Sequence, residues 1–143
     1  MTSTLTVDGD YSCLTVVCDF AQNFAIKAGF DSRSVYAVQM AVDEAVSNII
    51  EHGYGGEGKG KIHLDFVQLQ DSIKVTIQDE GTPFDPDAIP LPDFYAPIKD
   101  RPEGGLGLYL MRKLMDQVEF NFSSDRNQEM NTLTMIKHLN TST

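Results

Sequence analysis

The chain has 143 residues and a mass of 15.9 kDa, room for one domain whose core needs no disulfide. Eleven Lys and Arg against 21 Asp and Glu give a formal net charge of −10. Such an acidic field repels phosphate backbones and anionic lipid, which excludes non-specific binding to nucleic acid or a membrane surface.

Any bound polyanion must be held by local amides, a metal or a few placed cations. The longest charge-free run, residues 34–42, is nine residues, far below the ~18 that suggest a membrane span. The opening Met-Thr-Ser-Thr has no basic-then-apolar pattern, so the cytosol is the expected compartment.

In chain order, residues 4–7 alternate as a short strand ending at Asp8-Gly9-Asp10. Residues 11–28 carry Leu14, Val17, Phe20, Phe24 and Ile26 and stop at Gly29, the pattern of an amphipathic helix with a glycine C-cap. Cys13 and Cys18 lie five apart, neither a CxxC pair nor half of a zinc site, and read as packing thiols. Asp31 and Ser32 can cap a second helix running to about residue 51, with Val35, Val38, Val42, Val46 and Ile49 as its core stripe. Residues 53–60 hold five of the eleven glycines and read as a mobile turn.

Residues 61–69 and 72–78 read as two strands meeting at Gln70-Asp71. In the second, Ile73, Val75 and Ile77 share one face, and the period of two carries Asp79 onto it. All six prolines fall between positions 83 and 102, which excludes helix or central strand there and leaves a long exposed loop of the kind that serves as a lid. Gly104-Gly105-Leu-Gly107 then opens a helix through Asp116, and residues 118–122 and 130–139 read as two closing strands around a turn at 123–127. Strands and helices without regular alternation predict an α+β fold: a mixed or antiparallel sheet with helices on one face.

Two motifs are decoys. Gly53-x-x-x-x-Gly58-Lys59 spells most of a P-loop, but Gly60 stands where Ser or Thr must hold magnesium, and the segment runs from helix to strand instead of strand to helix. Gly105-x-Gly107-x-x-Leu110 lacks the third glycine and the preceding strand of a dinucleotide fingerprint. His52, His63 and His138 are scattered and build no metal cage with the cysteines.

Three patches remain. Glu44, Asn48 and His52 recur every four residues along one flank of the second helix. A solvated helix edge explains the Glu alone. A mid-helix Asn is a weak helix former, and an amide oxygen on magnesium would account for it. Asp79-Glu80-Gly81-Thr82-Pro83-Phe84 reads either as a turn or as an interior carboxylate awaiting a ligand amino group, with Gly81 letting backbone approach a planar ring. Gly104-Gly105-Leu106-Gly107-Leu108 reads either as a hinge or as bare helix N-terminal amides that bind anions without a basic side chain.

Together the patches describe an ATP site, and here the sequence resembles a known family. Glu44-Ala-Val-Ser-Asn48-Ile-Ile-Glu-His52-Gly-Tyr54 looks like the N box of the gyrase/histidine-kinase ATPase superfamily in its anti-sigma serine-kinase (RsbW-like) form. Asp79-x-Gly81-x-Pro83-Phe84-Asp85-Pro86 and Gly104-Gly105-Leu-Gly107-Leu108-Tyr-Leu-Met are similar to that branch's two glycine boxes.

The resemblance implies a Bergerat-type two-layer α/β sandwich, one domain over residues 1–143, binding Mg-ATP under a lid at about 83–104. It implies Glu44 as general base, Asn48 as Mg2+ ligand, Asp79 and Gly81 at the adenine, and Gly104, Gly105, Gly107 and Leu108 as phosphate-binding amides. It further implies phosphorylation of a serine on a small anti-anti-sigma (STAS) partner, capture of a sigma factor, and a homodimer. Where family members often carry a Gly-Thr pair in the last strand, this chain has Met130-Asn131, with Thr132 next. His52 is given a supporting role, and Lys99 and Arg101 are the lid cations that either reach the terminal phosphate or stay solvated. The competing reading is a noncatalytic, ATP-dependent partner-binding module. The catalytic domain of a histidine kinase fits less well, since Pro83 takes the place of a glycine and the chain has no room for a phosphoacceptor hairpin.

Overall fold

The computed structural model describes residues 1–83, 105–122 and 130–139. The elements run β1 (Thr2–Asp8), α1 (Cys13–Lys27), α2 (Ser32–Asn48), a π-helical turn (Ile49–Gly53), β2 (Lys61–Gln68), β3 (Ser72–Asp79), α3 (Gly105–Leu114), β4 (Gln117–Asn121) and β5 (Asn131–His138). The strands form one sheet in the order β1-β2-β3-β5-β4, and every pairing is antiparallel. Most of the proline-rich loop with Lys99 and Arg101, Gly104, and the turn at 123–127 lie outside the described residues.

The period of two separates the sheet's faces. Ile62, Leu64 and Phe66 of β2, Ile73, Val75 and Ile77 of β3, and Leu133 and Met135 of β5 are buried. Thr76, Gln78 and Thr134 alternate with them and stay partly exposed, and Lys74 is open to water. The helices cover the apolar face alone, as the sequence predicts. Phe66 sits at the centre of the layer, its ring 5.2 Å from that of Phe20 and 5.5 Å from that of Phe24.

The second helix starts where its cap predicts: the Asp31 carboxylate accepts from the Ser34 amide at 2.8 Å. Its stripe of Val35, Val38, Val42, Val46 and Ile49 is buried, joined by Ala41 and Ala45. The first helix departs from the expected stripe, since Ile26 is 55% exposed while Ala21 and Ala25 are fully buried. At 100° per residue Ile26 falls opposite Val17, and the small side chains take the buried face because α1 and α2 approach closely. Both cysteines are free. Cys18 hydrogen-bonds the Asp43 carboxylate, and burial pushes its thiol up to about 11, so it stays protonated and packs.

Two features differ from the sequence reading. The α-helix ends at Asn48, and residues 49–53 widen into a π turn whose bond runs from the Tyr54 amide to the Ile49 carbonyl, 2.8 Å. The glycine-rich segment, expected to be mobile, is pinned: the Gly9 amide donates to Gly60 (2.8 Å), the Gly58 amide to Gly9 (3.2 Å), the Gly56 amide to Ile50 (2.8 Å), and the Tyr11 amide to the Glu57 carboxylate (2.9 Å). Its glycines serve close packing, for a Cβ on Gly60 would lie 2.4 Å from the Tyr54 ring.

Candidate functional site

Three element ends meet on the inner face. Asp79 closes β3, Asn131 opens β5 directly opposite it, and Asn48 is the last residue of α2. All three are buried polar residues, at 5%, 7% and 4% exposure, where the alternation and the helical stripe would otherwise call for hydrocarbon. They line one pocket with Thr132, and Ala45, Ile49, Met111, Phe120, Phe122 and Leu133 supply its apolar walls. The cavity is narrow, about 20 Å³, room for one water. A flat ring therefore enters only if wall side chains give way; Phe120 and Phe122, stacked at 6.0 Å, form a partly buried part of that wall.

The Asp79 carboxylate is used on one side. Its Oδ1 accepts from the Gly81 amide (2.8 Å) and from Asn131 Nδ2 (3.1 Å), and Asn131 Nδ2 also donates to the Gly81 carbonyl (2.8 Å). Oδ2 has no hydrogen bond among the described residues. Burial raises the Asp79 pKa above the ordinary carboxylate value, and the bonds from Asn131 and Gly81 offset only part of that. A donor offered to Oδ2 would compensate this strained charge. Gly81 is required by close approach, since a Cβ there would lie 2.6 Å from the carbonyl carbon and oxygen of Gly53.

Asn48 Nδ2 is fully buried and makes no hydrogen bond among the described residues. A half-turn of the amide exchanges its donor and acceptor ends, so this side chain can offer either end to a ligand or a cation. No cluster of three or more His, Cys, Asp or Glu able to hold a metal exists among the described residues. A single amide oxygen plus oxygens from a bound ligand is nonetheless a donor set that suits Mg2+.

Glu44 lies one helical turn before Asn48, half-buried and outside the pocket lining. Burial is the main cause that raises its pKa, with repulsion from Asp43 and Glu51 adding to it. Helix α3 begins at Gly105, with Gly107 in its first turn, so the glycine-rich stretch does open a helix. Leu108 buries its side chain in the core, which leaves only its backbone amide for a ligand. One turn on, Met111 brings α3 against the pocket wall. His52 is not among the lining residues, and its Nε2 lies 3.9 Å from the Glu51 carboxylate.

Asn131 is a pocket residue to which the sequence reading gives no role. The signal for Asn131 was available, because strand parity places it with Leu133 and Met135 on the inner face, where an amide needs a partner. As assembled, the pocket holds the half-used Asp79 carboxylate, the buried Asn48 amide and Asn131, with Glu44 one turn away on α2, and among the described residues of α3 only Met111 is in its lining.

Comparison with known proteins bears on the family and the fold. Residues 9–137 match the family described as the histidine kinase-like ATPase domain. The chain is 35% identical over 121 residues to the serine-protein kinase RsbW of Bacillus velezensis, covering 81% of this chain and 72% of that protein. It is 34% identical over 121 residues to the serine-protein kinase RsbW of Bacillus subtilis, with the same coverage of 81% and 72%. In three dimensions it resembles the RsbU and RsbW domains of Rv1364c from Mycobacterium tuberculosis, with a TM-score of 0.67 at 17% identity over 97% of this chain and 32% of that one. The catalytic domain of the histidine kinase ThkA shares the fold at a TM-score of 0.52 and 13% identity, covering 96% of this chain and 97% of that one. The chain belongs to the histidine kinase-like ATPase family, and within it to the serine-protein kinase RsbW group.

Proposed function

We propose that this chain is an ATP-dependent serine/threonine protein kinase that acts as an anti-sigma regulatory factor. Its substrate is a serine on a small anti-anti-sigma (STAS) protein, it sequesters a sigma factor, and it works as a cytoplasmic homodimer with a lid at about residues 83–104. The observation that carries the reading is the meeting of Asp79 and Asn48 in one pocket, each buried and each with a polar atom that no described residue satisfies.

Asp79 Oδ2 accepts from the adenine amino group, while Oδ1 stays committed to Gly81 and Asn131. Asn48 holds Mg2+ through its amide oxygen, and the ion, when bound, neutralises phosphate charge. The amides of Gly104, Gly105, Gly107 and Leu108 take the phosphates, which lets a chain of net charge −10 bind a polyanion without a basic cluster. Glu44 takes the proton of the attacking serine hydroxyl. Phosphoryl transfer asks the protein chiefly for positioning, charge stabilisation and such a base.

Incubation with a STAS partner, labelled ATP and magnesium tests this. The wild type labels the partner on serine, and Glu44→Gln loses transfer while keeping nucleotide affinity. One observation favours a second reading, a binding module that captures its partner without transfer: Glu44 stands outside the pocket lining. ATP-dependent capture of the partner with no phosphoserine formed would select it.

A further inference from the structure

We propose that Tyr54 is a positioning residue that sets purine selectivity, by clasping the Asp79–Thr82 turn to the end of the helix that carries Asn48. The inference rests on the nucleotide reading above and concerns how the two halves of that site are held in register.

The turn after β3 presents three backbone amides, and each has a partner. The Glu80 amide donates to the Tyr54 hydroxyl at 3.0 Å, the Gly81 amide to Asp79 Oδ1 at 2.8 Å, and the Thr82 amide to the Gly53 carbonyl at 2.7 Å. Two of the three therefore end on consecutive residues, Gly53 and Tyr54. Gly53 closes, and Tyr54 follows, the π turn that begins immediately after Asn48. The chain between Asn48 and Tyr54 is short and hydrogen-bonded, so fixing Tyr54 against Glu80 fixes the Asn48 end of the site relative to its Asp79 end.

The hydroxyl is anchored in its turn. It donates to the Lys61 carbonyl at 2.6 Å, using its only proton, and so presents a lone pair to the Glu80 amide. Burial is the first cause that raises its pKa, which keeps it a protonated donor at neutral pH. The ring lies over Gly60, where a Cβ would meet its Cε1 at 2.4 Å and its Cζ at 2.5 Å, and packs against the hydrophobic core.

The consequence falls on Asp79. A purine is discriminated at position 6, where adenine offers an amino donor and guanine an oxo acceptor that a carboxylate repels. Discrimination requires the carboxylate to keep one orientation, with Oδ1 on Gly81 and Asn131 and Oδ2 toward the ligand. If the turn loosens, the carboxylate gains alternatives, and selectivity falls before binding is lost.

The test is calorimetry of wild type and Tyr54→Phe with Mg-ATP and Mg-GTP. Phenylalanine keeps the ring over Gly60 and deletes both hydroxyl bonds. The expected result is roughly 3–10-fold weaker ATP binding, the scale of a lost hydrogen bond, with the ATP-over-GTP preference falling by a similar factor. Because the ratio reads only folded protein, partial unfolding of the variant leaves it unmoved. Unchanged affinity for both nucleotides, an equal loss for both, or a wild type with no ATP preference overturns the inference. A wild type that binds neither nucleotide sinks the nucleotide reading itself.

Discussion

Replacing Asp79 by Asn separates ligand affinity from stability, because the two should move independently. The amide oxygen can keep the acceptor role of Oδ1 toward Gly81 and Asn131, so the local bonds have a substitute. The amide NH2 then stands where Oδ2 was and meets the adenine amino group donor to donor. The loss of a bond to a charged acceptor, with donors left unpaired, amounts to about 2–4 kcal/mol, or roughly 30- to 800-fold in affinity. Stability behaves otherwise. The folded-state pKa of Asp79 is raised above its ordinary 3.8 by burial, so the folded protein holds that proton more tightly than the unfolded chain. This stabilising linkage is present at low pH and is lost as pH rises from 3.8 through the folded value. A neutral amide has no such loss, so Asp79→Asn should equal or exceed the wild type in urea midpoint at pH 7, with the difference shrinking on acidification. Calorimetry with Mg-ATP and urea titrations at two pH values measure both arms. Undiminished ATP affinity refutes the assignment of Oδ2 to the ligand. A stability loss at pH 7 that grows with pH refutes the burial argument.

Four further outcomes follow from the geometry. The kcat of partner phosphorylation should fall on acidification through a pKa above the ordinary 4.5 of a glutamate, as Glu44 takes up its proton, and Glu44→Gln should cost about 10²–10⁴-fold in transfer. Asn48→Ala should weaken ATP binding roughly 10–100-fold with magnesium present and much less in EDTA, as calorimetry would show. Gly81→Ala places a Cβ 2.6 Å from Gly53 backbone and should cost about 1–3 kcal/mol in urea unfolding. Phe66→Ala, fully buried between Phe20 and Phe24, should cost about 3–5 kcal/mol, whereas Ile26→Ala, 55% exposed, should stay within about 0.5 kcal/mol.

Where a periodic signal existed, the sequence was sufficient. Period-two parity carried Ile73, Val75 and Ile77 inward and put Asp79 on the same face, which is where the structure places it. The valine stripe of α2 and its Asp31 cap were equally plain. What failed depended on distant partners. Ile26 reads as core by its hydrophobicity, although helix geometry turns it outward and the close α1–α2 contact selects alanines. The π turn after Asn48 is fixed by Gly53 and Tyr54 binding a loop almost 30 positions away, and no local pattern reports that. The glycine-rich segment looked loose because glycine lowers helix and strand propensity, yet the same absence of Cβ is what lets Gly60 sit against Tyr54 and Gly81 against Gly53. In the site, Asn48 and Asp79 were legible because each broke its local pattern. Asn131 broke its pattern too, but only strand pairing reveals that it faces Asp79.

The central claim is that Asn48 and Asp79 bind one magnesium-bound adenine nucleotide, and ¹⁵N-resolved NMR tests it most directly. On titration with a nonhydrolysable Mg-ATP analogue, the account predicts large saturable shifts of the Asn48 and Asn131 side-chain amides and the Gly81 backbone amide, all on one binding curve. Saturation with those three signals unmoved, or shifts confined to another face of the protein, would contradict it.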